Sequence, residues 1–274
     1  MPLRFRAALW WARKMPRAKG WFPQQVGRRV GSGVTCHMTL PGGAKIAVDP
    51  HHLEIYTGIL TGRWDADVGR VLCEVVRPGG VLFDIGANSG VMSMEAAQAV
   101  NGDLSVIAFE PQPELATACA VSAHLNGFER VRVLRCLLGQ EGGEAALFVP
   151  QYSVHASVVS RSGGSRKIPC RVYALDELVQ SGAIPAPDVI KIDVEGAELD
   201  VFRGARGVLK KHQPTILFES DTNSHRFGYV RRDLCDFLRA HAAYDFHFIT
   251  KDGVVPAGSR LEDETWTDLL AVVK

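Results

Sequence analysis

Four acidic positions stand where an apolar run gives way to a turn. The run VLFDI (81–85) carries Asp84 into Gly86-Ala87-Asn88-Ser89-Gly90. The run LSVIAF (104–109) stops at Glu110-Pro111. DVIKID (188–193) delivers Asp193 into Val194-Glu195-Gly196, and TILFE (215–219) delivers Glu219 into Ser220-Asp221. Like charges gathered at one place repel, so a purely structural pattern would avoid them. If the four runs are neighbouring strands, their ends form one acidic site.

The glycines beside Asp84 let the backbone approach a ligand closely and turn at once into a helix. Gly86 and Gly90 are four apart, so the loop is neither the GxGxxG of a dinucleotide fold nor the GK[ST] of a P-loop. An acid just before such a loop repels phosphate and suits an ammonium group. Taken alone, such a turn is also an ordinary strand-to-helix connection. Glu110, twenty residues after Gly90, is placed to accept both hydroxyls of a ribose. A ligand with an amine and a ribose but no phosphate is S-adenosylmethionine.

The elements that must hold these residues alternate. Apolar strands are read at 81–85, 104–110, 131–135, 188–193, 215–219, 244–250 and 267–273, with helices at 66–77, 90–100, 113–126, 175–181, 196–211 and 227–242 between them. Strands apolar throughout and separated by helices imply an α/β fold, a mostly parallel sheet covered on both faces. Ligands of such sheets bind outside the carboxyl ends of the strands. Residues 138–174 read as a β-rich insertion, and 33–48 as a hairpin turning at Pro41-Gly42-Gly43. The expected division is an N-terminal helix and hairpin extension at 1–48 and one main domain at 49–274.

Six segments together resemble the FkbM family of class I methyltransferases: VLFDIGANSG (81–90), AFEPQPE (108–114), LNG (125–127), LDEL (175–178), IKIDVEGAE (190–198) and ILFES (216–220). The resemblance spans about 81–220, and IKIDVEGAE is its most specific part. It implies a Rossmann-like seven-stranded sheet and methyl transfer to an oxygen of a small molecule, often a sugar or natural-product hydroxyl. Carried over by position, Asp84, Gly86, Ala87, Asn88 and Gly90 hold the methionine part of the cofactor, Glu110 the ribose, and Leu137 the adenine through a backbone N–H. Tyr56 and Trp64 either close over the cofactor or pack in the core.

A hydroxyl is a poor nucleophile and calls for a base or a metal. Asp193 and Glu219 end neighbouring strands, and either suits a general base. With Asp221 they would instead suit Mg²⁺, a hard ion that prefers oxygen ligands. His225 is the best histidine candidate for a base, its alternative being a surface-loop histidine. Glu195 and Glu198 are read as braces of the following helix. Arg161, Arg166, Lys167 and Arg171 form either an anion subsite or a solvated loop. An N- or macromolecule methyltransferase and a non-catalytic cofactor-binding module are the competing readings.

Net charge is +1, but it is unevenly spread. Nine Lys and Arg and no acid precede Asp49, while 49–274 holds 22 basic and 30 acidic residues, a net of −8. So acidic a body does not suit nucleic acid. The six cysteines include no CxxC pair, which fits free thiols in a reducing cytoplasm. Leu3, Ala7, Trp10, Trp11 and Met15 mark a short amphipathic helix ended by Pro16. That stripe is too short for stable membrane insertion. The expectation is a lid or homodimer contact of the basic arm on the acidic body. Deleting residues 1–20 is therefore expected to raise KM or lower kcat while the protein stays soluble and binds S-adenosylmethionine. Vesicle flotation that is lost on deletion, with activity unchanged, would identify a membrane anchor instead.

Overall fold

The computed structural model describes residues 36–48, 65–150, 165–261 and 267–274. The N-terminal arm, Tyr56, Trp64 and Arg161 lie outside them.

The central sheet has eight strands: β3 (Val81–Ile85), β4 (Ser105–Phe109), β5 (Val131–Leu134), β9 (Val189–Ile192), β10 (Thr215–Glu219), β11 (Tyr244–Thr250), β12 (Gly253–Pro256) and β13 (Asp268–Val273), in the order β12-β11-β13-β10-β9-β3-β4-β5. β5, β4, β3, β9 and β10 are parallel, and β13 lies antiparallel between β10 and β11. This is the Rossmann-like arrangement expected, with one strand more than the expected seven. The extra strand, β12, is a hairpin return from β11 through Lys251-Asp252.

Helices α1 (Ala66–Val75), α2 (Val91–Ala99), α3 (Pro113–Asn126), α4 (Leu175–Gln180), α5 (Glu198–Arg203), α6 (Arg206–His212) and α7 (Arg231–Arg239) cover the sheet. Two apolar cores result, one on each face. Phe83, Phe109 and Phe202 pack in one, and Leu82, Val106 and Leu217 in the other. The alternation of Leu82 and Phe83 between the two cores is the period-two consequence of a strand buried on both faces. Phe83 and Phe109 meet edge-to-face at 5.7 Å, a geometry that adds about 0.5–1.5 kcal/mol to the area they bury.

The single helix expected over 196–211 is two. Gly204 stands at the break, and a Cβ there would lie 2.0 Å from the Gly139 carbonyl oxygen, so only glycine fits. The Asp176 carboxylate then accepts the N–H groups of Gly207 and Val208, at 2.7 and 2.8 Å, and caps α6 from another helix. The helix expected at 227–242 begins only at Arg231, after a 3-10 turn over Thr222–Phe227.

Two smaller sheets flank the central one. β1 (Cys36–Thr39) and β2 (Lys45–Val48) form an antiparallel hairpin. Asn126 on α3 accepts the Lys45 N–H at 2.8 Å and donates to the Lys45 carbonyl at 2.6 Å, while Ser122 Oγ accepts the Ala47 N–H at 2.8 Å. β6 (Leu137–Leu138), β7 (Gly143–Pro150) and β8 (Ser165–Tyr173) form the second sheet, in the order β6-β8-β7.

Gly86 is the tightest point where β3 meets β9. Its φ is +79°, and a Cβ would fall 1.8 Å from the Asp193 carbonyl oxygen. Gly86→Ala is expected to cost about 3 kcal/mol or more in urea unfolding, since both the backbone strain and the clash must be relieved. A stability unchanged from the wild type would show that the two loops part freely.

Candidate functional site

A cleft of about 670 Å³ opens at the carboxyl ends of β3, β4, β9 and β10. Gly86, Ala87, Asn88, Glu110, Leu137, Asp193 and Glu219 all line it. Asp84 and Gly90 do not. Asp84 is fully buried behind the wall, and Gly90 is the N-cap of α2.

The loop after β3 is shaped by local hydrogen bonds. Gly86 and Ala87 both donate their N–H to the Phe109 carbonyl, at 3.0 and 3.1 Å, which pins the loop to the end of β4. Asn88 takes φ +53°, a left-handed conformation that asparagine tolerates, and its Oδ1 accepts the Ser89 N–H at 2.7 Å. Gly90, at φ +84°, packs where a Cβ would meet Cys119 Sγ at 2.6 Å.

Glu110 is clamped from both sides. Its Oε2 accepts the Asn88 N–H at 2.9 Å and its Oε1 the Gln112 N–H at 2.8 Å. Each oxygen keeps a further lone pair for a ligand hydroxyl. Burial pushes its carboxyl up to about 7; the two backbone donors and Lys191 oppose that shift, and Asp84 adds to it. The wall beyond Glu110 is apolar: Cys136 precedes the small sheet, and Leu137, Leu138, Ala145, Leu147 and Val172 come from its strands.

The opposite end is acidic, with Asp65, Asp193, Glu195, Asp200, Glu219 and Asp221 at its surface. Lys191 enters it from β9. Its Nζ lies 3.3 Å from Asp193 Oδ2, 3.4 Å from the Gly86 carbonyl and 3.7 Å from Asp84 Oδ1. The other oxygen of Asp84 accepts the Ser93 hydroxyl at 2.6 Å. Sequence reasoning missed Lys191, although a lysine inside the apolar run VIKI was a visible signal.

It missed Asp268 as well. β13 runs antiparallel, so its first residue reaches the edge where the parallel strands end, and Asp268 pairs directly with Glu219 across β10. Opposed like charges across strands are destabilising. Burial pushes the Asp268 carboxyl up to about 6, with Asp65 and Asp193 adding to it. Burial likewise pushes Glu219 up to about 9, and Asp193, Asp221, Asp268 and Glu195 push the same way.

Other residues sort themselves by partner. Glu198 is buried, and its Oε1 accepts the Val194 and Gly196 N–H groups, each at 3.2 Å, as a brace. Tyr229 donates to its Oε2 at 2.9 Å. Glu195 departs from the brace reading: it lines the cleft at φ +57°. His225 is exposed on the 3-10 turn and does not line the cleft. Arg166 pairs with Glu114 at 2.9 Å and Arg171 with Glu144 at 3.6 Å, so these two cations of the insertion face acids. Among the described residues no three His, Cys, Asp or Glu side chains are grouped to hold a metal ion, so the alternative of Mg²⁺ on Asp193, Glu219 and Asp221 finds no support. No helix among them is long and apolar enough to cross a membrane.

Residues 84–248 match the family described as the methyltransferase FkbM domain, a stretch that runs from Asp84 of the glycine loop to Phe248 in β11. The chain belongs to the FkbM methyltransferase family. A hexuronic acid methyltransferase, AglP, of Haloferax volcanii is 31% identical over 148 residues, covering 54% of this chain and 59% of that protein. A 2-O-methyltransferase, NoeI, of Sinorhizobium fredii is 23% identical over 216 residues, covering 73% of this chain and 88% of that one. The chain thus spans about three fifths of AglP. A crystal structure of methyltransferase FkbM from Methylobacillus flagellatus is similar at a TM-score of 0.49 and 17% identity, over 95% of this chain and 60% of that one.

Glu219 holds its proton in the folded protein between its ordinary value of 4.5 and about 9, whereas the unfolded chain releases it. Its contribution to stability therefore falls as pH rises through that window. Glu219→Gln does not titrate. Its Tm is expected to gain on the wild type by several degrees between about pH 5.5 and 8.5. A constant difference would show that Glu219 is not held protonated.

Proposed function

We propose that the protein transfers the methyl group of S-adenosylmethionine to a hydroxyl oxygen of a sugar or a glycosylated small molecule. The observation that carries this is the joining, in one cleft, of a clamped Glu110 beside a glycine loop with the carboxylate of Asp193 at the far end. The name of NoeI supports an oxygen as acceptor, and that of AglP a sugar acid as the class of substrate.

The residues fit the cofactor. Glu110 keeps one lone pair per oxygen for two ribose hydroxyls, the wall at Leu137 offers an apolar slot for adenine, and the acidic end suits an ammonium and a sulfonium. When bound, S-adenosylmethionine supplies a methyl carbon already attached to an excellent leaving group. The protein's work is then chiefly positioning, which supplies much of the rate of such displacements. Asp193 is the general base in this reading: it lines the cleft, is partly exposed, and stands beside the Lys191 ammonium. Glu219, protonated at neutral pH, donates a hydrogen bond to the acceptor rather than taking its proton. The small sheet β6–β8 supplies the apolar wall of the cleft beyond Glu110.

Glu110→Ala is expected to weaken S-adenosylmethionine binding by about 1–3 kcal/mol in a calorimetric titration, the range for charge-assisted hydrogen bonds. Asp193→Asn is expected to keep cofactor affinity within a few-fold and lose most turnover, read as methyl gain by mass in a small-molecule extract. Unchanged binding in the first variant removes Glu110 from the ribose role, and full turnover in the second removes Asp193 as base. A wild-type protein that binds the cofactor but methylates nothing would be a binding module.

A further inference from the structure

The two ends of the cleft differ in what they offer a ligand. At the end away from Glu110 the lining side chains include Asp65, Asp193, Glu195, Asp200, Glu219 and Asp221. Lys191 is the one cation among the described residues that line the cleft. Its ammonium has three N–H donors, and three oxygens lie around it. These are Asp193 Oδ2 at 3.3 Å, the Gly86 carbonyl at 3.4 Å and Asp84 Oδ1 at 3.7 Å. The other side chain at this end that carries N–H donors is Asn223. Its amide donates to Asp221 Oδ2 at 2.6 Å and to Glu195 Oε2 at 3.4 Å. Backbone donors are engaged in the same way. The Asn223 N–H goes to Asp221 Oδ1, and those of Val194 and Gly196 go to Glu198. Arg203 pairs with Asp200 at 3.0 Å and does not line the cleft. Glu219, where it carries its proton, adds one neutral donor.

This end of the cleft therefore presents lone pairs and negative charge, while its N–H groups already have acceptors. An anionic group entering here must break an existing ion pair or lie against like charge, and both are unfavourable. A hydroxyl or an ammonium instead meets oxygens to which it can donate. Resting on the methyl-transfer reading above, we propose that the acceptor brings hydrogen-bond donors and no anionic group to this end, as a neutral or amino sugar does. Glu195 and Asp221 are the specificity-determining pair that receives them. One amide, that of Asn223, fixes both acids, and each carboxylate oxygen keeps lone pairs beyond the one that the amide uses. Selection of this kind works as much by rejecting the wrong charge as by holding the right one. S-adenosylmethionine also carries a carboxylate, but its ammonium stands on the same carbon and balances it. AglP is named for a hexuronic acid; the carboxylate is the part of such a sugar for which this end has no partner among the described residues.

The test reads the charge of whatever is methylated. A small-molecule extract is split at neutral pH into what an anion exchanger retains, what a cation exchanger retains and what neither retains. Each fraction is incubated with full-length protein and S-adenosylmethionine, and methyl gain is read by mass. Most of the gain is expected in the neutral and cation-exchanger fractions. As much gain or more in the anion-exchanger fraction overturns the proposal. Glu195→Gln and Asp221→Asn keep the side-chain shape. Each is expected to lower methyl gain in the preferred fraction by about ten-fold or more, the scale of a lost charge-assisted hydrogen bond, with calorimetric affinity for S-adenosylmethionine kept within about three-fold. Turnover unchanged in either variant overturns the pair's role, and so does cofactor affinity lost in step with turnover. Should a variant not fold, the fractionation decides. A protein that binds the cofactor and methylates nothing in any fraction fails the methyl-transfer reading itself, a result distinct from gain in the anion-exchanger fraction.

Discussion

The ends of β3 and β9 press together so closely that Gly86 has no room for a side chain, and each strand brings an aspartate to that contact. Two acids and a carbonyl oxygen facing one another would push the strands apart. The Lys191 ammonium, set between them, turns that repulsion into attachment. Because the contact lies at the centre of the sheet, its geometry propagates outward. The loop after β3 is fixed against Phe109, which fixes Asn88 against Glu110, and the turn after β9 carries Glu195 and Gly196 toward the 3-10 segment.

Buried acids do two kinds of work in this fold. Asp176 and Glu198 accept backbone N–H groups from neighbouring loops and helix ends, so their charge is met by donors that have no other partner. They act as cross-links between segments distant in sequence. Glu219 and Asp268 are gathered differently, opposite each other on paired strands with acids as neighbours. Their arrangement costs stability and is kept at the mouth of the cleft, where a ligand can repay it. Departure from local satisfaction is how a site differs from a core.

The parallel strands, the glycine loop and Glu110 were legible because each is a local signal: an apolar run, a turn residue, an acid at a run's end. The split of the helix over 196–211 was not. Gly204 owes its role to Gly139 and Asp176, residues far away in sequence that only the fold brings near. Lys191 was overlooked because a cation in a strand normally marks an edge or an exposed face, whereas here its compensation comes from Asp84 on the adjacent strand. Asp268 required knowing that the last strand runs backward, which no periodicity reveals. His225 drew notice for its chemistry alone; the backbone carries it outward. β12 is four residues long and only half-buried, too weak a pattern to stand out.

The small sheet β6–β8 is joined to the body by short connections, at Cys136 on one side and Ala174 on the other, and it has a minor apolar cluster of its own around Leu147, Val149 and Cys170. It forms a cleft wall through a few side chains while the central sheet is completed without it. Selection can therefore rewrite the hairpin of β7 and β8, in length and in composition, with little penalty to the scaffold. An engineer wishing to reshape the cleft would exchange that hairpin as a cassette before altering any residue at the strand ends.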